Sequence, residues 1–319
     1  MIGTLRIDPL AEISPLADGE TDARGTLPAQ VADVLFGGPG RLYAVLDAGR
    51  VLFLSDRLDA LGVRHRMIYR SPGQLDVADD EREMDDAMAD VSPYLAELPE
   101  DSALVADFFK AGEDRPWHLI DKRAGVLIRS TLEFGALLGQ LRQFSFLRDE
   151  GGVETFFRFQ EPAMWAALAS ALPERQAAFA LRDIQSVIWA QDSLRDGLWD
   201  IFALRPTAVL SAIQPEVPVV GVAQRKALRQ AVNARRARRI VREKGILPGE
   251  RDAVARDLAR LLGLSQSSAD AMLHTIRLLR AAPVDEHAYW WSVIEAGTHS
   301  LGTINRQMHA RYGVGEFAK

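Results

Sequence analysis

The stretch VETFFRFQEPAMW, residues 153–165, sets a permanently charged arginine among three phenylalanines and then turns on a Glu-Pro step. Two glycines precede it in DEGG (149–152), and FSFLR (144–148) lies on the other side. Two β-prone runs around a glycine-containing turn predict a hairpin. Alternation puts Phe157 and Phe159 on one face, and Phe156 and Arg158 on the other. Pro162 suits the first turn of a helix, PAMWAALASAL (162–172), where its missing N–H is not needed. Glu161 then sits beside a helix N-terminus, a favourable place for a carboxylate. Gln160 and Glu161 make the corner of a strand-to-helix switch. Arg158 must reach water or a carboxylate, because an unpaired buried charge is expensive.

Working outward, STLEFGALLGQLRQF (130–144) opens with Ser130 and Glu133 in S-x-x-E spacing, which predicts a capped helix leading into the hairpin. Strands are predicted at 41–48, 65–70, 92–98, 117–121, 125–129, 184–190 and 197–204. Helices are predicted at 28–38, 50–61 and 101–112. The first 27 residues are weakly patterned. Residues 76–90 are strongly acidic, as expected of a solvated helix or loop, or of a docking surface for a basic partner. This mixture predicts a mixed-sheet α/β domain over residues 1–205. Pro206, Pro215 and Pro218 mark 206–220 as a linker, and residues 221–319 read as an all-α domain of five helices. The fold class is therefore α+β.

The chain has 319 residues and a net charge of −6. Residues 206–319 hold 17 Lys+Arg against 10 Asp+Glu, and residues 1–205 hold 21 against 34. Such asymmetry predicts modules with different partners, or modules that attract each other. Cysteine is absent, which excludes disulfides, thiolate catalysis and cysteine zinc sites. The glycine-rich FGGPGR (36–41) lacks the lysine and Ser/Thr of a phosphate-binding loop, and the six histidines show no metal-ligand spacing. No catalytic constellation emerges, and no metal or cofactor is expected. Asp47 closes an apolar strand, where a turn-forming or ion-pairing role is expected. No apolar run is long enough to cross a bilayer, and the N-terminus lacks the pattern of a signal peptide, so a cytoplasmic location is expected.

Segment 225–244 has nine Lys/Arg against one Glu. Its centre, Arg235, Arg236, Arg238 and Arg239, is a candidate surface for docking a partner. LARLLGLSQSSADAMLHTI (258–276), with Ala259, Gly263 and Leu273, is spaced like a helix-turn-helix, so a DNA-binding regulator using 258–276 and 225–244 is the alternative reading.

The order of four segments resembles a known family. LYAVLDAG (42–49), SPYLAEL (92–98), the helix from Ser130, and FRFQEPAMW (157–165) follow the pattern of the bacterial type VI secretion adaptors encoded beside VgrG spike proteins. Tyr43 and Asp47 match the first motif, Pro93, Tyr94 and Leu95 the second, and Arg158, Phe159 and Pro162 the third. Gln160 stands where the family has an aromatic, Glu161 where it has aspartate, and Ala163 where it has a second arginine. The resemblance implies a non-enzymatic chaperone that binds a secreted effector and helps to load it onto VgrG. Neither nucleic acid nor membrane is an expected partner of such an adaptor. It also bears on Arg158, read as a corner-fixing ion-pair member with Glu161 or Asp47 as its partner, with a direct effector contact as the alternative.

Overall fold

A computed structural model describes residues 5–69, 89–112, 115–207 and 210–312. The acidic segment read at 76–90 falls almost wholly outside the described residues. The chain divides into two compact units, Met1–Ala227 and Leu228–Lys319.

The first unit is organised by a seven-stranded sheet in the order β1-β9-β8-β5-β2-β4-β3. Its strands are β1 (Leu5–Ile13), β2 (Arg41–Asp47), β3 (His65–Met67), β4 (Pro93–Leu98), β5 (Gly125–Ser130), β8 (Ile184–Asp192) and β9 (Trp199–Pro206). Every neighbouring pair in it runs antiparallel. The α+β class expected from sequence is borne out, and within it the described pairings make the large sheet antiparallel rather than mixed. Parallel pairing occurs instead in a separate three-stranded sheet, where β10 (Val219–Val220) lies beside β6 (Phe146–Asp149), which pairs in turn with β7 (Glu154–Phe156).

Both faces of the large sheet are covered, so its central strands are apolar nearly throughout and do not alternate. Leu42, Ala44 and Leu46 of β2 join Ala96, Leu127 and Ile188 in a core with helices α2 (Ala29–Phe36), α3 (Leu54–Ala60) and α4 (Ala103–Phe108). Alternation sends Tyr43, Val45 and Asp47 to the opposite face. There α5 (Phe134–Phe144) meets the sheet through Phe134 and Tyr43, whose rings lie 6.4 Å apart, and α6 (Pro162–Ala171) contacts β1, β8 and β9. The short α1 (Ala23–Thr26) and α7 (Glu174–Leu181) complete the unit.

Several local expectations change. The weakly patterned N-terminus forms the edge strand β1, bulged between Pro9 and Ala11. Residues 117–121 form turns, because the Lys122 ammonium donates to the carbonyls of Gly112, Arg115 and His118, and Asp121 accepts the Gly112 N–H. The capping box does not form. Ser130 ends β5, with its hydroxyl donating to the Asp183 carbonyl and accepting the Leu132 N–H, and Glu133 is the N-terminal cap position of α5 without a side-chain capping bond. Residues 206–220, read as a linker, carry β10 and the buried Leu210 and Val220 of the first unit.

The second unit is helical: the C-terminal part of α8 (Val222–Glu243), then α9 (Arg251–Leu264), α10 (Ala269–Ala281), α11 (His287–Ala296) and α12 (Leu301–Tyr312). Its core includes Val241, Leu258, Ile276, Trp290 and Ile304. Gly245 and Gly297, at φ 63° and 64°, supply the left-handed residues that stop α8 and α11. Among the described residues no helix is long and apolar enough to cross a membrane.

Candidate functional site

The hairpin corner and the end of β2 meet in one ionic cluster. β2 stops at Asp47, whose Oδ1 accepts the Gly49 N–H at 3.1 Å, while its carbonyl accepts the N–H groups of Arg50 and Val51. This Asx-type turn swings the chain back over the sheet end and aims Arg50 at the corner. On the other side β7 ends at Phe156, but the alternation persists through the following residues. Phe157 and Phe159 are buried and Arg158 is turned outward. Phe157 packs edge-on to Phe144 at 4.7 Å and to Trp165 at 5.9 Å, and the Trp165 indole N–H donates to the Phe159 carbonyl. These rings fix where the corner lies. Pro162 then opens α6, leaving Glu161 at the helix N-terminus.

Asp47 and Glu161 are the buried anions, with side chains only 3% and 6% exposed. Arg50 bridges them. Its Nε lies 3.4 Å from Asp47 Oδ2, one terminal nitrogen donates to Glu161 Oε1, and the other donates to the Arg123 carbonyl at 2.9 Å. Burial pushes the Arg50 guanidinium below its ordinary pKa, and Arg158 and Arg123 act in the same direction against the pull of Asp47. Arg123, itself left-handed at φ 48°, pairs with buried Asp192. Arg158 approaches the same two anions from outside, 3.5 Å from Asp47 and 4.0 Å from Glu161, with its side chain 52% exposed. Gln160 is buried, and its Oε1 lies 3.1 Å from the Tyr69 hydroxyl, which is also 3.3 Å from the Phe157 carbonyl. Burial raises the Tyr69 pKa and keeps the phenol neutral.

The structure thus brings Asp47, Arg158, Phe159, Glu161 and Pro162 together. Pro93 stands opposite Asp47 in the β2–β4 register. Tyr94 and Leu95 lie in β4 beside Leu46 and Val45, buried in the sheet. Tyr43 belongs elsewhere. Four residues back along β2, about 13 Å away, its hydroxyl donates to the Leu132 carbonyl at 2.7 Å beneath the start of α5. Burial pushes its pKa up to about 12. Sequence reasoning missed Arg50, Arg123 and Asp192. An arginine just past a strand-ending aspartate was the available signal for Arg50.

A cleft of about 400 Å³ opens at the other end of the sheet, lined in part by Arg41, Arg64, Glu97 and Arg129. Its polar groups already serve one another. Arg41 binds Glu97 at 2.8 Å and Glu133 at 2.7 Å, and Arg129 donates to the carbonyls of Leu35 and Gly38.

In the second unit, the four candidate arginines of α8 divide in two. Arg236 and Arg239 are exposed, with Arg239 3.6 Å from Glu243. Arg235 and Arg238 are half-buried and engaged. The helix-turn-helix-like segment forms α9 and α10, with Ser268 capping α10. Leu273 and Ile276 face the core, and the outer face carries Asp270, His274 and Arg277. Nothing in this geometry favours a DNA-reading helix over an ordinary helical pair.

Residues 42–178 match the model of the family described as Domain of unknown function (DUF4123). The matched stretch runs from β2 into α7 and contains Asp47, Arg50, Arg123, Arg158 and Glu161 of the cluster. No curated protein and no solved structure matches the chain.

Proposed function

We propose that this chain is a non-enzymatic adaptor of type VI secretion, which binds a secreted effector in the cytoplasm and helps to load it onto a VgrG-type spike. The observation that carries the reading is the convergence of Asp47, Arg158 and Glu161, from motifs more than a hundred residues apart, within the stretch that matches the DUF4123 family. In this reading the buried part of the ionic corner, Asp47, Arg50 and Glu161, is scaffolding. It holds hairpin, helix and sheet end rigid so that the surface around them is preformed, which limits the ordering entropy lost on binding. The client is a protein, and an interface of about 1,200–2,000 Å² is expected.

The test deletes the gene and measures the abundance and secretion of the product of the neighbouring effector gene, alongside co-purification of the two proteins. Loss of effector delivery together with a stable complex is expected. Unchanged effector levels and secretion would overturn the reading.

A further inference from the structure

We propose that the outer side of the ionic corner is itself the cargo contact, and that the segment bound there carries a carboxylate next to a bulky apolar side chain. The inference rests on the adaptor reading above and adds the chemistry of the contact.

Three observations converge on it. First, the Arg158 side chain makes no hydrogen bond among the described residues, although its ion-pair distances to Asp47 and Glu161 are 3.5 and 4.0 Å. Arg50 already bridges both anions from the inner side. Arg158 therefore offers a half-exposed guanidinium whose fork of N–H donors is ion-paired from one side only and makes no hydrogen bond among the described residues. The anions beneath it are buried, so the charge that the corner shows to solvent is positive. A planar donor fork of this kind is matched by a carboxylate that binds it bidentately.

Second, the turn that places Arg50 continues into Leu52 and Phe53, which are 71% and 68% exposed, while their neighbours Val51 and Leu54 are buried. Val91, also exposed, precedes Ser92, whose carbonyl accepts the Ala48 N–H of the same turn. The turn that delivers Arg50 to the corner thus also exposes apolar side chains, and aromatic residues and arginine together are the usual composition of interface hot spots.

Third, Phe53 adopts the left-handed conformation, at φ 55° and ψ 38°. An aromatic residue is strained there and glycine would not be. The strained backbone holds a large ring that is mostly exposed to water. Arg123, whose carbonyl anchors Arg50, is another non-glycine residue with positive φ. Strain of this kind collects at binding sites, where a bound partner compensates it.

The experiment compares full-length wild type, Phe53→Gly and Arg158→Gln. The probe is the purified product of the adjacent effector gene, followed by short overlapping peptides that tile it. Phe53→Gly removes the ring and relaxes the backbone, so its melting temperature should hold or rise while affinity falls about tenfold or more. Arg158→Gln should weaken binding to a similar extent with little change in melting. Bound peptides should contain Asp or Glu beside a large apolar residue, and converting that acid to its amide should abolish the difference between wild type and Arg158→Gln. Wild-type binding that both variants retain in full would overturn the site and leave the adaptor reading standing. A wild type that binds no adjacent product would overturn the adaptor reading itself. Wild-type self-association that the variants lose would show a second copy of the chain to be the occupant.

Discussion

Removing Arg50 should damage the first unit far more than removing Arg158, although sequence reasoning points to Arg158. Arg50→Ala strips the bridging cation from two carboxylates that are 3% and 6% exposed. Breaking a buried pair from one side typically costs about 3–5 kcal/mol. Arg158, 3.5 Å from Asp47, can move in and recover part of this. The lost hydrogen bond to the Arg123 carbonyl adds about 1 kcal/mol. The balance is about 2–4 kcal/mol, or a fall in Tm of about 6–12 °C at its middle value for a unit of this size. Arg158→Ala removes an exposed, solvent-screened cation and should cost under about 1 kcal/mol. Urea and thermal denaturation of purified variants provide the measurement. Glu161→Gln should recover stability in the Arg50→Ala background, because it removes the stranded anion, and should lower stability in the wild type. Equal losses for the two arginines, or no rescue by Glu161→Gln, would refute the bridging role of Arg50.

Tyr43→Phe should cost about 1 kcal/mol at neutral pH through the orphaned Leu132 carbonyl. Because the folded pKa lies above the unfolded value, the advantage of wild type is full below about pH 10 and disappears as pH rises to about 12, as alkaline unfolding curves will show. Gly125→Ala should prevent folding of the sheet, since its Cβ would lie 1.8 Å from the Val45 carbonyl oxygen between two central strands, and soluble yield and circular dichroism will report it. Burial raises the Asp257 pKa in the second unit, so its contribution is most favourable in acid and declines as pH rises above about 4. Asp257→Asn should therefore flatten the pH dependence of melting. Reversing Arg236 and Arg239 to glutamate should preserve the fold and weaken any partner docked on α8, with the weakening shrinking as salt rises. Reversing Arg235 and Arg238 as well should also lower melting, because these two are half-buried and engaged.

The corner was legible in sequence because its determinants are local. A glycine-bearing turn, alternating phenylalanines and a Glu-Pro step lie within about twenty residues, and each acts on its immediate neighbours. Asp47 as a turn former was legible for the same reason. Arg50 was not, because its partner is 111 positions away and no periodicity links them. The edge strand β1 was hidden by Pro9 and its bulge, which interrupt the alternation that marks a strand. The false strand at 117–121 has strand-like composition, but the Lys122 ammonium gathers three carbonyls that a sheet would have needed. The capping box failed because Ser130, at the strand end, turns its hydroxyl to the Asp183 carbonyl across the sheet.

The pairing of β1 with β9 has a consequence for how the chain is made. Leu5 faces Pro206 in the register, so β1 leaves the ribosome well before the strand it pairs with and must wait to find its place in the sheet. Until residue 206 has emerged, β8 and the strands beyond it can assemble, but β1 waits as an unpaired, partly apolar tether. The closing step joins segments about two hundred residues apart, and its loop entropy grows only slowly with that length. It remains a slow, non-local contact all the same. When β9 arrives first, its outer edge stays open to any other extended chain, a nascent neighbour included, until β1 closes it.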